Sequence, residues 1–252
     1  MNPKSTVASA RERELADALT AVRTRLDRAA QAAGRNADEI ELLPITKFFP
    51  AEDVLILHRL GCREFGESRE QEASKKSAKV GAVLGAEPIR WHMVGRIQRN
   101  KARSIAGWAY AAHSVDNAKL ITALGRFTAE RIEQGKRAEP LRVYLQLSLD
   151  GDESRGGVDI GRPDSVDELC AAVATTDGLE FAGLMAIPPL DADADMAFAR
   201  LQDEKDRLQK AFDQPLGLSA GMSSDLESAV KHGSTCVRVG TALLGQRPLT
   251  SP

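Results

Sequence analysis

The feature that most constrains this chain is a rhythm. From residue 41 onward a short apolar run, a turn and a helix-like stretch follow one another eight times. Strands are expected at 41–45, 62–65, 90–94, 109–113, 141–147, 179–185, 216–219 and 236–239. Helices are expected between them at 51–60, 69–79, 100–106, 117–134, 164–174, 195–212 and 224–231, with a short last one from Thr241. Eight such units in 252 residues suit a single (β/α)8 TIM barrel of the α/β class. The rival is an open doubly wound sheet, but no GxGxxG turn follows the first strand. Ahead of the barrel, 9–33 reads as an extra N-terminal helix. Leu15, Leu19, Val22 and Leu26 form one apolar stripe, and Gly34 provides a stop. No linker or internal repeat divides the chain, so 1–252 reads as one domain, with 1–8 and 248–252 expected to be flexible ends.

Charge and composition narrow the function classes. A net charge of −2 gives no sign of a nucleic-acid or anionic-membrane partner. No apolar run is long enough to span a bilayer, and the N-terminus lacks the apolar core of a signal peptide. Cys62, Cys170 and Cys236 are far apart and read as reduced thiols of a cytoplasmic protein. His58, His92, His113 and His232 show no metal-ligand spacing, so no metal site is expected.

In a barrel, chemistry gathers at the C-terminal ends of the strands, and phosphate sites often use the loops after strands seven and eight. Here those loops are "LSAGMSSD" (218–225) and "VRVGTALLG" (237–245). Ser219, Ser223 and Thr241 supply hydroxyls, while Gly221 and Gly240 let the backbone approach an anion. The plainer alternative is that Ser223 or Ser224 caps a helix and Gly240 ends a strand. Lys47 ends the first strand, in "LLPITKFFP", and looks partly buried. It reads either as a Schiff-base lysine for a phosphorylated aldehyde or as a snorkelling strand-end lysine. In "CVRVG" the two valines share one face, which leaves Arg238 pointing into the barrel. An inward arginine is expensive without a partner. It reads as one half of a buried ion pair or as a donor to a ring nitrogen.

At this point the motifs resemble a known family. "ITKFFP" (45–50), "EFGESREQE" (64–72), "WHMVGRIQRNK" (91–101), "HSVD" (113–116), "GLMAIPP" (183–189), "LSAGMSSDLESAVKHGST" (218–235) and "VRVGTALLG" occur in that order. Together they resemble the pyridoxal phosphate homeostasis proteins, single-barrel relatives of the alanine racemase N-terminal domain. The resemblance implies pyridoxal 5'-phosphate (PLP) as cofactor, held as a Schiff base on Lys47. It also implies a phosphate site from Ser219, Met222, Ser223, Gly240 and Thr241, with Arg238 facing the pyridine nitrogen. Two positions depart from the family pattern: Ser68 stands where Asn is common, and Ala220 where Met is common.

Arginine is donor-only and permanently charged, so it keeps a pyridine nitrogen unprotonated and the cofactor a poor electron sink. A racemase of this fold needs a second base, usually a tyrosine from another domain. The only tyrosines here, Tyr110 and Tyr144, lie in expected strands and fit core roles. The expected function is therefore intracellular PLP buffering or delivery without strong turnover, by a monomer that meets PLP-dependent apoenzymes transiently. An amino-acid racemase or decarboxylase is the alternative, and a Schiff-base aldolase acting on a phosphorylated substrate a more distant one. His92 reads as a hydrogen-bonded strand residue, "GRIQRNKAR" (95–103) as a solvated helix start near the pocket rim, and "SRGGVD" (154–159) as a lid or a turn.

Overall fold

The computed structural model describes residues 3–85, 89–189 and 191–247, and the expectations for 1–2 and 248–252 lie outside these. Among the described residues are nine parallel strands: β1 (Glu41–Pro44), β2 (Glu64–Glu67), β3 (Arg90–Met93), β4 (Ala111–Val115), β5 (Leu141–Ser148), β6 (Val158–Asp159), β7 (Leu179–Ala186), β8 (Gly217–Ser219) and β9 (Cys236–Val239). Eight of them run in the order β1-β9-β8-β7-β5-β4-β3-β2, and β6 is a two-residue addition on β5. A parallel bridge between Ile45 and Gly66 joins the two ends of that order and nearly closes the barrel. The expected fold is therefore the observed one, and each expected strand falls within a few residues of its place.

The helices are α1 (Pro3–Ala32), α2 (Ala51–Arg59), α3 (Glu70–Leu84), α4 (Ala102–Trp108), α5 (Ala118–Glu133), α6 (Pro163–Thr175), α7 (Ala194–Gln209), α8 (Leu226–Lys231) and α9 (Thr241–Leu244). They surround the sheet, and strand periodicity decides what they cover. Val237 and Val239 of β9 pack outward with Val54 and Leu57 of α2 and the α1 stripe of Leu15, Leu19, Val22 and Leu26. Leu43, Ile45 and Cys236 form a separate apolar cluster. The extra helix α1 is tied down by charge as well. Arg11 donates to Asp53 Oδ2 of α2 at 2.7 Å and to the Leu244 carbonyl of α9 at 3.0 Å. Arg25 donates to Glu227 and to the Ser223 carbonyl, so α1 braces the loop after β8.

Close approach of β7 and β8 depends on one glycine. Gly183 sits at a register shift of β7 against β5 and has φ +141°. A Cβ there would lie 2.0 Å from the Gly217 carbonyl oxygen of β8. Gly183→Ala is therefore expected to cost about 2–4 kcal/mol from backbone strain and overpacking together. Urea unfolding monitored by circular dichroism checks this, and an unchanged midpoint would contradict it.

Candidate functional site

Three neighbouring strands bring the candidate residues to one end of the barrel. β1 pairs with β9, and β9 pairs with β8, all parallel. The segments after them, 45–49, 240–242 and 220–225, therefore open on the same C-terminal face. Gly240 has no Cβ to fill the space beside Ile45, where one would come within 3.7 Å of Ile45 Cβ. Its φ is −108°, so openness rather than backbone strain is what glycine supplies there.

Lys47 is exposed, not partly buried as its apolar flank suggested. β1 ends at Pro44, and Thr46, fully buried, takes the inner position instead. Among the described residues its ammonium faces the Phe48 ring, whose centroid is 6.0 Å from Nζ. The turn itself is firmly held. Lys76 of α3 donates to the Thr46 carbonyl at 2.8 Å, to Glu67 Oε1 at 2.6 Å and to Glu72 Oε1 at 3.2 Å. Thr46 Oγ1 donates to the same Glu67 oxygen at 2.7 Å, and the Phe48 N–H donates to Glu72 at 2.7 Å. Phe48 has φ +70°, alone among the described non-glycine residues. Its ring lies under the guanidinium groups of Arg69 (4.8 Å) and Arg247 (3.9 Å). Such strain persists only where surroundings over-determine it, and here it sets the direction in which Lys47 leaves the strand.

Arg238 is 5 % exposed and points into the barrel, as the alternation in β9 implied. The buried carboxylate partner that a structural reading called for is missing among the described residues. Nη1 donates to the carbonyl and the hydroxyl (2.6 Å) of Ser219, and Nη2 to the Ala186 carbonyl at 2.9 Å. Ser219 is fully buried, with its hydroxyl also 2.7 Å from His113 Nδ1. Ser223 and Met222 are half-buried in the loop above it, and Thr241 is exposed. Ser223 does not cap α8, whose N-cap is Asp225; its hydroxyl reaches the first turn of α9 instead. There it accepts from the Ala242 N–H at 3.4 Å, and Asp225 Oδ1 accepts from the Met222 N–H at 2.6 Å. The backbone N–H groups of Ser223, Ser224 and Thr241 have no acceptor among the described residues.

A cavity of about 450 Å³ lies between the segments that follow β2 and β3, lined by Ser68, Arg69, Met93, Arg96, Gln98 and Lys101 and by none of the candidate residues. The basic motif at 95–103 lines this separate cavity with Arg96, Gln98 and Lys101. The Gly-rich loop is a pinned turn: β6 pairs with β5, and the Gly157 N–H donates to Asp116 at 3.1 Å. A wider groove of about 730 Å³ lies between α1 and α8 and contains none of the candidate residues.

Sequence reasoning missed a polar chain inside the barrel. Glu64 Oε2 lies 2.8 Å from His92 Nε2, and His92 Nδ1 lies 2.8 Å from His113 Nε2. His113 then reaches Ser219 and, through it, Arg238. The signal was present in "RWHM", where outward Trp91 and Met93 leave His92 inside. Ligand atoms of Glu41, Glu64 and His92 come within 4.8 Å of one another, which spacing along the chain had not indicated. Burial and the adjacent Glu64 push the Glu41 carboxyl up to about 9. Burial also raises Glu64, but its bonds from His92 and Arg90 outweigh this and hold it down, at about 2. Glu41 thus carries the proton that the two share.

This proton makes stability pH-dependent. The folded chain keeps it on Glu41 up to about 9, while the unfolded chain releases it near 4.5. The folded state binds more protons in that window, so stability falls as pH rises through it. Glu41→Gln, which donates to Glu64 without titrating, is expected to remove this slope. With the Glu41 side chain 30 % exposed, screening holds the relative gain between pH 5 and pH 8.5 to about 1–2 kcal/mol. Urea titrations at the two pH values test it, and parallel pH profiles for the two proteins would contradict it.

Comparison with known proteins places the chain in a family. Residues 18–248 match the family described as alanine racemase, N-terminal domain. The pyridoxal phosphate homeostasis protein of Mycobacterium tuberculosis strain H37Rv is 62 % identical, over 96 % of both chains. That of Corynebacterium glutamicum is 44 % identical, over 90 % of this chain and all of its own. Among solved structures, Synechococcus elongatus PipY with PLP bound has a TM-score of 0.75 at 30 % identity, covering 92 % of this chain and 100 % of that one. Alanine racemase from Corynebacterium glutamicum, at 15 % identity and TM-score 0.62, covers 90 % of this chain and 60 % of its own and shares the fold. A barrel of this topology, matched along nearly its whole length, belongs to the alanine racemase N-terminal domain family and, within it, to the pyridoxal phosphate homeostasis proteins.

Proposed function

We propose that this protein binds pyridoxal 5'-phosphate at the C-terminal mouth of its barrel and serves PLP homeostasis, holding and releasing the cofactor without strong turnover. The observation that carries this reading is Arg238. It is a buried cation with only neutral direct partners, one strand away from the segment that bears an exposed lysine. PLP brings an aldehyde for a primary amine, an acceptor ring nitrogen and a phosphate. The residues present fit all three. Lys47 offers the amine, and Arg238 offers donors oriented by Ser219. The open N–H groups of Ser223 and Thr241, with Met222 and Gly240 beside them, offer an anion cradle.

A racemase or decarboxylase needs a second base at the mouth. Tyr144 is buried against the His113 ring at 4.4 Å, with its hydroxyl pushed further from ionisation by burial. Tyr110 accepts from Arg142 just before β4. Neither position suits that role, which favours a carrier. PLP-dependent apoenzymes are its proposed transient partners. Three buried free thiols suit a reducing cytoplasm, and no helix among the described residues is long and apolar enough to cross a membrane. The proposed monomer is read by sizing chromatography.

The deciding experiment is a visible spectrum of the purified chain with added PLP, followed by borohydride reduction and peptide mapping. The reading requires a cofactor band distinct from free PLP and a reduced adduct on the peptide containing Lys47. No band, or an adduct elsewhere, would overturn it. Incubation with amino acids in deuterium oxide then separates carrier from enzyme, since rapid exchange at Cα would sink the carrier reading.

A further inference from the structure

We infer that Arg238, Ser219, His113, His92 and Glu64 form one head-to-tail hydrogen-bond chain through the barrel, which makes Ser219, His113 and His92 positioning residues for the Arg238 guanidinium. The inference rests on the cofactor site proposed above, but its geometry stands on its own. Both ends of the chain are chemically one-directional. Guanidinium can only donate and an ionised carboxylate can only accept.

Starting from Glu64, His92 Nε2 must carry a proton to bond Oε2 at 2.8 Å. A neutral His92 then presents Nδ1 as an acceptor, so the facing His113 Nε2 at 2.8 Å must be N–H. A neutral His113 in turn presents Nδ1 as an acceptor, and Ser219 donates to it at 2.7 Å. Ser219 is left with lone pairs for Arg238 Nη1 at 2.6 Å. The arginine end is compatible with this direction, since the Ser219 oxygen accepts from Arg238 while its hydrogen is free to go to His113. Every polar group between the two charges is used once as donor and once as acceptor.

The surroundings keep both rings neutral. Around His92 stand Glu41 of β1, Glu64 of β2, Arg90 of β3, Tyr110 before β4 and Arg142 of β5. Around His113 stand His92, Tyr144 of β5, Ser219 of β8 and Arg238 of β9. Burial opposes charge on either ring and the arginines reinforce it, which at His92 outweighs the pull of Glu64 toward the charged form. The uncompensated look of Arg238 is thereby explained: its countercharge is Glu64, relayed through three neutral groups. The relay fixes the Ser219 hydroxyl and so the plane of the guanidinium that meets the ligand.

The test begins with the cofactor-free full chain, labelled with 15N at histidine, by long-range 1H–15N correlation from pH 5.5 to 8.5. His92 and His113 are expected as neutral Nε2–H rings throughout. An Nδ1–H ring or an imidazolium at either position would overturn the chain, including the reversal that a divalent cation on Glu41, Glu64 and His92 would impose. The second measurement is PLP binding by His113→Leu and His113→Gln. Leucine breaks the relay and is expected to weaken binding by about tenfold and move the absorption maximum. Glutamine, which can accept from Ser219 and donate to His92, is expected to restore both. Wild-type affinity and spectrum in His113→Leu would overturn the positioning role. Should the leucine variant not fold, the tautomers still decide the chain. A wild-type protein that binds no PLP would refute the cofactor reading while leaving the tautomer result intact.

Discussion

Lys76→Met is expected to destabilise the protein by about 3–5 kcal/mol, the usual result of removing one partner from a buried ion pair. Lys76 is 7 % exposed and Glu67 is fully buried. The loss of Nζ would strip Glu67 Oε1 of its only cation among the described residues and leave the Thr46 carbonyl with only the Phe49 N–H, at 3.1 Å, as a donor among them. Glu67 already has a second buried oxygen with no hydrogen-bond partner among the described residues. Burial already raises its carboxyl even with Lys76 in place. Without the lysine that rise grows, so the variant's folded state takes up a proton that the unfolded state releases in the acid range. Its deficit is therefore smallest at low pH and grows as pH rises. Lys76→Met combined with Glu67→Leu removes both charges and is expected to recover all but about 1–2 kcal/mol, the remainder reflecting the Thr46 bonds. Urea unfolding of the two single variants and the pair reads the coupling directly. Additive losses would mean that the pair contributes nothing as a pair. The same network holds the Thr46–Phe48 turn, so the single variant should also loosen the direction of Lys47.

Whether a residue's role was legible depended on how far away its partners lie. Strand alternation is local, so "CVRVG" alone placed Arg238 inside and its valines on the opposite face, and the structure agrees. The helix stripe of α1 and the stop at Gly34, φ +66°, were equally local. Lys76 was not legible. In "EASKKSAK" it looks like any exposed helix lysine, and only its approach to Glu67 and Thr46 makes it structural. The relay was hidden for the same reason. His92 and His113 are 21 residues apart, His113 and Ser219 106, and only the strand order around the barrel joins them. Lys47 failed in the opposite direction. Its apolar flank implied burial, but the chain turns at Thr46 and Phe48, so the lysine exits while its neighbours stay in. Exposure removes the desolvation problem that burial would have posed and leaves the amine accessible.

Lys47→Ala is expected to abolish the reducible cofactor adduct altogether, while Lys76→Met retains it at reduced occupancy. Two lysines approach the same turn, and their surroundings assign them opposite tasks. Lys76 has all three N–H directions taken by oxygen acceptors within 3.2 Å and is sealed between β2 and α3. An amine so committed is a poor nucleophile, because attack on an aldehyde needs a free lone pair. Lys47 has no hydrogen bond or ion pair among the described residues and stands at the open face. Its substitution should cost little stability, since an exposed side chain with one long ring contact contributes within about 0.5 kcal/mol. The two readouts therefore separate cleanly: Lys47→Ala should melt like wild type and carry no adduct, whereas Lys76→Met should melt early and carry some. Mass spectrometry after borohydride, beside a thermal melt of each variant, makes the comparison. An adduct persisting in Lys47→Ala would show that another amine takes up the aldehyde and that the turn built by Thr46, Phe48 and Glu72 aims its lysine at something else.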